Sequence, residues 1–408
     1  VLVGLVNPHQ YTQAFSYRLN APITLAYLAR RLADYDIECE AIDLGGLGKN
    51  ESFILDGLEE FDAIGITALS NQAEGARRLL KLIRHHYPDM YVVCGGVDVT
   101  LFPEKYLQWG ATCAVVGQAD GNVHEIFTQR PRGVVKGKPG PIHGRPLWEH
   151  HRPLPWQYPG HPDPIAWPEA LCMATRGCPY KCSFCGNIIW NGQRTRRREV
   201  DDVVEELHWL KDHGVKAVFF YDDEIVSAPT LSYLLDIISK VDGLVYRAQG
   251  RCDIEHKQVS LLYELARHGL KRVMWGVESF SDKVLAAANK QLTCEQIMET
   301  LKLSHQAGIE NFAFIMAGMP EETPEAASAT FSTLKTVLTV KLVQKVQVTP
   351  CTPMPGTALY KQAEAEGWLF EGDPFQYSVT GGTPWMSQAE IAEYVQGLRR
   401  LARSHGAL

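Results

Sequence analysis

The chain has no uninterrupted apolar run of the roughly 18 residues or more that a membrane-spanning helix needs, and its apolar opening, Val1–Val6, is too short for a signal peptide. It has no excess of positive charge: 40 Lys and Arg stand against 47 Asp and Glu, a formal charge of −7 that leaves no basic footprint for a nucleic acid. The one basic stretch, Arg194–Arg198, reads as a solvated loop and helix start, with a phosphate contact as the sharper alternative. A disulfide framework is absent too. The ten cysteines are scattered, except for three that fall within eight residues, a pattern of metal chemistry in a reducing compartment. There is no internal repeat and no low-complexity tract. These absences predict a cytoplasmic enzyme with no membrane or nucleic-acid partner. What is present, 408 residues of which 45% are hydrophobic and 21% charged, suits a globular protein of two or three domains.

Short apolar runs alternate with helical patterns from the start. Val1–Val6, Glu38–Asp43, Ala63–Thr67, Tyr91–Cys94 and Cys113–Val116 read as strands of a parallel α/β sheet, filling a first domain over residues 1–135. Asn20 and Pro22 open a helix over Ile23–Leu32, and Asn71 is the expected cap of a longer one through Leu79, Leu80 and Ile83. Residues 136–168 are dense in Pro, Gly, His and Trp, and read as a linker lying over the surface. Six further apolar runs follow: Ala170–Ala174, Lys216–Tyr221, Val245–Ala248, Arg272–Val277, Asn311–Met316 and Leu342–Val348. Each precedes a helical pattern, so residues 169–370 predict a partial barrel of six βα units, with chemistry on the loops at the strands' carboxyl ends. Residues 371–408 form a closing segment, with a helix over Ser387–Ser404 opened by a capping box from Ser387 to Glu390.

The most informative stretch is Arg176-Gly-Cys178-Pro-Tyr-Lys-Cys182-Ser-Phe-Cys185-Gly-Asn187, placed directly after the first barrel strand. Spacings of three and two residues let one loop offer three thiolates to an iron–sulfur cube and leave the fourth iron without a protein ligand. A structural zinc site needs four ligands, and no second Cys or Cys/His pair with suitable spacing follows. Cys172 lies within a predicted strand and reads as a core cysteine.

The Cys-x3-Cys-x-aromatic-Cys pattern, with Phe184 at the aromatic position, resembles the radical S-adenosylmethionine (SAM) superfamily. Tyr221–Glu224, Gly276–Ser279, Phe314–Thr323 and Thr352–Thr357 resemble that family's strand-end motifs, so the likeness spans nearly all of residues 170–370. It implies a TIM-type partial (βα)6 barrel, one [4Fe-4S] cluster held by Cys178, Cys182 and Cys185, and SAM chelated to the open iron. The SAM-binding residues it implies are Phe184, Gly186, Asp222, Asp223, Glu224, Glu278, Ser279 and Gly318, with Arg251 a candidate for the SAM carboxylate. Asp222–Glu224 is also compatible with a solvated turn and helix start. Gly318 is expected to let the backbone approach the adenine.

The first domain resembles the cobalamin-binding domain of the B12-binding radical SAM class, which implies a Rossmann-like, doubly wound parallel sheet. Thr67-Ala-Leu69, followed after 25 residues by Gly95-Gly96, is similar to the Ser-x-Leu and Gly-Gly pair that admits the nucleotide tail of the corrinoid. In Asp43-Leu-Gly45-Gly-Leu-Gly48, Gly45 stands where a cobalt-ligating histidine would be, so the lower ligand is missing, which is normal in this class. The loops at Gly95-Gly-Val-Asp98 and Gly117-Gln-Ala-Asp120 depart from the family's usual Gly-Gly-Pro-His and Gly-Glu-Gly-Glu. Two readings of the domain stay open, a cobalamin site and a structural lid.

The resemblance implies reductive cleavage of SAM to a 5′-deoxyadenosyl radical and hydrogen abstraction from a small substrate. With cobalamin the outcome is C-methylation of an unactivated carbon; without it, radical dehydration, deoxygenation or rearrangement of a sugar-like diol. Tyr221 and Cys351 are the catalytic candidates, for proton handling and hydrogen donation. Substrate contacts are expected from the aromatic stretches around Trp148–Trp167 and Tyr377–Trp385. The reducing electron implies an external donor, a flavodoxin, ferredoxin or reductase.

Overall fold

A computed structural model describes residues 1–10, 21–55, 57–158, 163–369 and 382–408. Two compact units emerge, one of Val1–Met173 with Arg196–Lys216, the other of Ala174–Thr195 with Ala217–Leu408.

The first unit opens with β1 (Leu2–Asn7), α1 (Ile23–Ala33), β2 (Glu38–Asp43), β3 (Ala63–Thr67), α2 (Ala73–His86), β4 (Tyr91–Gly95), α3 (Val97–Leu101) and α4 (Pro103–Trp109). It continues through β5 (Cys113–Val116), α5 (Val123–Gln129), β6 (Gly133–Lys136) and β7 (His151–Arg152). The seven strands lie in the order β6-β5-β4-β3-β1-β2-β7. Pairing is parallel, for example Val3 against both Cys39 and Ala63. Strand residues alternate between the faces, and each face is buried by its own helices. Ile64, Ile66, Val92 and Cys94 pack with Leu79, Leu80 and Ile83 of α2 and Tyr106 of α4. Val3, Leu5, Val93 and Val115 pack with Leu25, Ala29 and Leu32 of α1 and Phe127 of α5. This is the doubly wound sheet the alternation predicts. The order reverses between β3 and β1, and the carboxyl ends there form the crevice where such sheets bind ligands.

Three expectations fail here. Asn71 does not cap α2: a short 3-10 turn over Ser70–Gln72 precedes the helix and Gln72 is the cap residue. Asn20, the other expected opener, lies outside the described residues. Residues 136–168 are not only a surface linker, because they supply β7, which pairs with β2, and buried side chains that include Trp148, His151 and Tyr158. Trp148 is held by its indole N–H, which donates to Glu206 at 3.0 Å. The Arg194–Arg198 stretch is not uniformly solvated either. Arg198 is fully buried, paired with Glu206 at 2.5 Å, and donates to Tyr27 Oη at 2.7 Å and Met173 O at 2.9 Å.

All six apolar runs expected of the barrel are strands. The first is β8 (Glu169–Cys172), of the first unit, in which Cys172 is a core residue as expected. The short β9 (Thr175–Arg176), α6 (Asn187–Trp190) and β10 (Arg196–Arg197) follow, then α7 (Val200–Asp212). The second unit continues β11 (Ala217–Phe220), α8 (Leu231–Ile238), β12 (Val245–Arg251), α9 (Val259–Arg267), β13 (Leu270–Glu278), α10 (Asp282–Ala287), α11 (Cys294–Gln306) and β14 (Glu310–Ala317). It ends with α12 (Pro324–Thr339), β15 (Lys345–Pro350), α13 (Ala358–Ala365) and α14 (Gln388–Ser404). Strands β11 to β15 are parallel and lie in chain order, so their carboxyl ends open on one side. β15 begins at Lys345, three residues after the apolar run does, because Leu342 and Val343 are buried before the strand starts. α14 opens with the expected capping box, Ser387 and Glu390 each satisfying the other's backbone N–H.

Candidate functional site

The three cysteines occupy the loop between β9 and α6. Gly177 starts it at φ 95°, and a Cβ there would lie 2.3 Å from Arg194 O, so only glycine makes this turn. Ser183 anchors the tip: its N–H donates to Ala288 O and its carbonyl accepts from Leu359 N–H, both at 2.9 Å. Phe184 is the loop's apolar peg, packed against Val284, Ala288, Met319 and Cys351 on one side and Leu359, Ala363 and Trp368 on the other. Two residues on, Gly186 is bare for a steric reason: a Cβ there would lie 2.6 Å from the Trp190 ring.

The acidic run after β11 is bonded to this loop. Asp222 is fully buried and accepts from Thr175 Oγ1 at 2.7 Å, from Ala174 N–H at 3.1 Å and from Thr175 N–H. Asp223 accepts from Gly177 N–H at 2.8 Å and from Asn191 at 3.1 Å. Glu224 accepts from the Cys178 thiol at 3.7 Å. These carboxylates hold the loop's entry, turn and first thiol. Burial raises each of them, Asp222 to about 7. Tyr221 points the other way along the alternating strand end; it is 46% exposed and packs edge-on against Phe219.

A second brace was not read from sequence. The connection from α10 to α11, Ala288–Gln291, grips the loop from the other side. Ala288 O takes Ser183 N–H, and Asn289 donates to Lys181 O at 2.8 Å. Asn289 and Gln291 hold φ of 50° and 55°, left-handed conformations that cost a non-glycine residue roughly 1–2 kcal/mol. Arg251 is the tie: it donates to the carbonyls of Lys290 and, at 3.0 Å, Gln291, while its guanidinium lies 3.6 Å from the centre of the Tyr180 ring. Tyr180 in turn donates to Asp253 at 3.0 Å. Arg251 is thus a splint between strand, bracket and cysteine loop, with both bracket bonds made by Nη2.

Glu278 does face the site. It sits at φ 65° at the end of β13 and pairs with buried Lys290 at 2.9 Å. Gly276 leaves room for that pair, since a Cβ would come within 2.7 Å of Lys290 Nζ and 2.9 Å of Glu278 Oε1. Ser279 is turned away: its hydroxyl shares a hydrogen bond with Thr330 Oγ1 of α12 at 3.0 Å. Gly318, at φ 85°, meets Ile391 of α14, with a Cβ–Cδ1 approach of 2.9 Å, so its bare backbone accommodates the closing helix. Beside it Glu322 is buried and accepts from Gly318 N–H at 2.5 Å and Met319 N–H at 3.2 Å. Cys351 is half-buried in the Phe184 cluster, and burial raises its thiol.

The donor set fits an iron–sulfur cube. Cys178, Cys182 and Cys185 share one short loop and stand near enough that, beyond burial, the charges of Cys182 and Cys185 raise the Cys178 thiol. A mononuclear site would draw its thiolates to about 2.3 Å from one metal, whereas a cube spreads three cysteines over three irons. Burial holds Cys178 near 12 and Cys185 near 11, so these thiols are neutral until a metal displaces their protons.

In the first unit, the cobalamin-type residues gather at the carboxyl ends of β2, β3 and β4. Thr67 and Gly95 are register partners. A chain of side-chain bonds ties the neighbouring ends together: Tyr158 Oη donates to Asp43 at 2.7 Å, Asn7 to Asp43 at 2.8 Å, Gln72 to Asn7 at 2.9 Å, and Leu69 N–H to Gln72 at 3.0 Å. Gly45 N–H donates to Asp43 at 3.1 Å. The two adjacent glycines differ. A Cβ on Gly95 would meet nothing within 4 Å, so it lines open space that a tail can fill, whereas on Gly96, at φ 106°, it would lie 2.7 Å from Ala68 O. Asp98 is buried and committed to Tyr106 at 2.7 Å and Lys105 at 2.9 Å, and Gln118 accepts from Arg196, so both departures from the family's loops have structural partners.

Comparison with known proteins agrees with this geometry. Residues 173–334 match the radical SAM superfamily model and residues 18–127 the B12 binding domain model. The chain belongs to the radical SAM superfamily, in the class with an N-terminal B12-binding domain. It is similar to the uncharacterised methyltransferase PH0819 of Pyrococcus horikoshii, 27% identical over 373 residues, which covers 85% of this chain and 79% of that protein. The radical SAM methyltransferase TsrM from Kitasatospora setae, solved with cobalamin and a [4Fe-4S] cluster bound, superposes with a TM-score of 0.71 at 18% identity, covering 98% of this chain and 88% of that one. The cobalamin-dependent enzyme OxsB, solved with aqua-cobalamin and SAM, gives 0.69 at 15% identity, and the match covers 100% of this chain and 62% of that one. At these identities the solved structures establish the fold. Among the described residues no helix is long and apolar enough to cross a membrane.

Proposed function

We propose that this chain is a cobalamin-dependent radical SAM methyltransferase that methylates an unactivated carbon of a small substrate. The observation that carries the cobalamin half is the open space over Gly95, at the carboxyl end of β4, one strand from the switch point of a doubly wound sheet whose loop residues are otherwise committed to partners. The radical half rests on the braced cysteine loop. When bound, the cluster and SAM supply a carbon-centred radical, and cobalamin supplies the methyl group. The chain's own part is positional. Asp222, Asp223 and the Ala288–Gln291 bracket keep Cys178, Cys182 and Cys185 in place from two sides. Glu278 stays at the strand end, where its second oxygen can accept from the SAM amino group, and Phe184 with the cluster around Cys351 keeps the loop's inner side dry. Gly45 offers no imidazole, so the cobalt's lower face has no protein ligand from that position.

The test is anaerobic reconstitution with iron, sulfide and cobalamin. Four irons per chain, a bound-cobalamin spectrum and a product heavier by one methylene support the reading, and Cys178→Ala, Cys182→Ala and Cys185→Ala should each lose iron. Loss of water from the substrate with no cobalamin bound would replace it with diol dehydration.

A further inference from the structure

The strands of the second unit treat amides differently on their two faces. Register partners in a parallel sheet point the same way, so Arg251, Gly276, Phe314 and Gln347 form one row across β12, β13, β14 and β15, and Gln249, Met274 and Phe312 form the row before it. Arg251, bonded to the Lys290 and Gln291 carbonyls, and Gly276, whose Cβ would meet Lys290 Nζ, mark this as the face of the candidate site. On the opposite face Asn311 shows how a buried amide in this sheet is satisfied. Its oxygen accepts from Trp275 Nε1 and its nitrogen donates to Leu301 O and Leu342 O, all at 2.8 Å.

Gln249 and Gln347 have nothing comparable. Both are half-buried, and among the described residues neither side-chain amide has a hydrogen-bond partner. The strand holds Gln249 in place, since its carbonyl accepts from Val226 N–H at 3.1 Å. Between the two amides the wall is apolar: Met274, then Phe312 and Phe314, whose ring centres are 5.4 Å apart. A half-buried amide in such surroundings costs stability unless something bonds it. A small-molecule site is built in this way, as an apolar wall with a few polar groups that fix orientation. The charges on this face are already engaged. Arg272 pairs with Glu310 and Lys290 with Glu278, each at 2.9 Å, Arg247 lies 4.1 Å from the centre of the Phe219 ring, and Lys345 has an interaction of its own. Three strand spacings separate β12 from β15, about 14 Å along the sheet, so one molecule of metabolite size reaches both amides.

We propose that Gln249 and Gln347 are specificity-determining residues that bind an uncharged substrate, one with an apolar body and a hydrogen-bonding group towards each end. The inference rests on the methyltransferase reading above and names the class of its substrate. A side-chain amide offers both a donor and an acceptor, so it takes a hydroxyl, a carboxamide or a ring nitrogen and gives an ion no counter-charge. Merely structural glutamines would bond within the protein, as Asn311 does, and their loss would weaken the fold.

Two measurements on the full-length protein test this. Gln249→Leu and Gln347→Leu each place an apolar side chain of similar size among apolar neighbours, so neither should lower the melting temperature. A clear fall in either would mean that the amide is bonded within the protein, and overturns the proposal. Nicotinamide, nicotinate and 3-(aminomethyl)pyridine, matched in size and different in charge, are then compared by ligand-observed nuclear magnetic resonance up to about 10 mM, the range expected for molecules this small. Nicotinamide should bind tightest, and each leucine variant should weaken it about three- to tenfold, the loss of one or two hydrogen bonds. Tighter binding of nicotinate or of the amine, no binding of nicotinamide, or wild-type nicotinamide affinity in either variant overturns the proposal. SAM titrated into reconstituted protein should bind the wild type and both variants alike; a matching loss of SAM affinity would give the amides to SAM and overturns it as well. Wild-type protein that takes up no iron or cobalamin but keeps the nicotinamide pattern would instead overturn the methyltransferase reading and leave this site standing.

Discussion

Gly95 and Gly96 are adjacent and superficially interchangeable, but substitution should separate binding from folding. Gly95 ends β4 on the face shared with Val93, and a Cβ there touches nothing within 4 Å. Valine at this position sits in a strand, where glycine is disfavoured by about 0.5–1 kcal/mol, so Gly95→Val should leave the fold unchanged or slightly more stable. Gly96 has φ 106° and ψ −175°, a region essentially restricted to glycine, and its Cβ would lie 2.7 Å and 2.9 Å from Ala68 O and N. Backbone strain of about 1–3 kcal/mol and a similar cost of overpacking predict that Gly96→Val destabilises the first unit by about 3 kcal/mol or more. The ligand effect runs the other way in interpretability. If the space over Gly95 holds the corrinoid tail, a branched side chain placed in it should weaken cobalamin at least about hundredfold, close to 2.8 kcal/mol. The assay is a spectrophotometric cobalamin titration on anaerobic protein, paired with thermal melts of the apo form. Gly95→Val should lose cobalamin with its melting temperature kept; Gly96→Val should lose both. Wild-type cobalamin affinity in Gly95→Val would show that the tail does not pass there, and a large drop in its melting temperature would show that the open space was misjudged.

Two other outcomes follow from buried charges. Arg198→Met leaves Glu206 buried without its cation, both side chains being fully inaccessible, and should destabilise the first unit by about 3–5 kcal/mol; a denaturant midpoint within about 1 kcal/mol of wild type would mean that the site relaxes to admit water. Asp222 is raised by burial from 3.8 to about 7, so the native state holds its proton more tightly than the unfolded chain does. Its contribution is then complete below about pH 4 and is lost as pH rises through about 7, a decline of about 4 kcal/mol at most. Asp222→Asn, which cannot ionise, should therefore lack part of the wild-type decline between pH 5 and pH 8, and superimposable unfolding curves across that window would refute the assignment.

Much of the fold was legible because hydrophobic burial writes itself into sequence at fixed periods. Glu38–Asp43, Ala63–Thr67 and Cys113–Val116 were bounded to the residue, since each is a short apolar run with a helical pattern after it. What escaped was structure that carries little periodicity. Strand β7 is two residues long and sits in a Pro-, Gly- and His-rich stretch, and its partner Trp148 is buried by a single indole bond to a helix 58 residues away. Arg198 looked solvated because its neighbours in sequence are charged, while its partners, Tyr27, Met173 and Glu206, are distant or hidden on a helix face.

The cysteine triad was read from spacing alone, but the contacts of the acidic residues beside it were not legible, for a physical reason. An acidic run at a strand end looks the same in sequence whether its carboxylates accept from a ligand or from backbone N–H groups, and only the chain's path shows that Asp222 and Asp223 point at Thr175 and Gly177. The bracket at Ala288–Gln291 was missed outright, although it carried one readable sign. Asn is among the few residues that enter the left-handed region readily, and Asn289 directly follows a helix whose apolar pattern ends at Ala288, which is where a chain reversal is expected. A turn placed there would have put Lys290 in a constrained loop beside a strand-end glutamate, and a lysine so placed is seldom a solvated one. The chemistry proposed for this site therefore depends less on the three cysteines, which spacing picks out, than on residues 40 to 110 positions away that fix where their loop and one buried charge can stand.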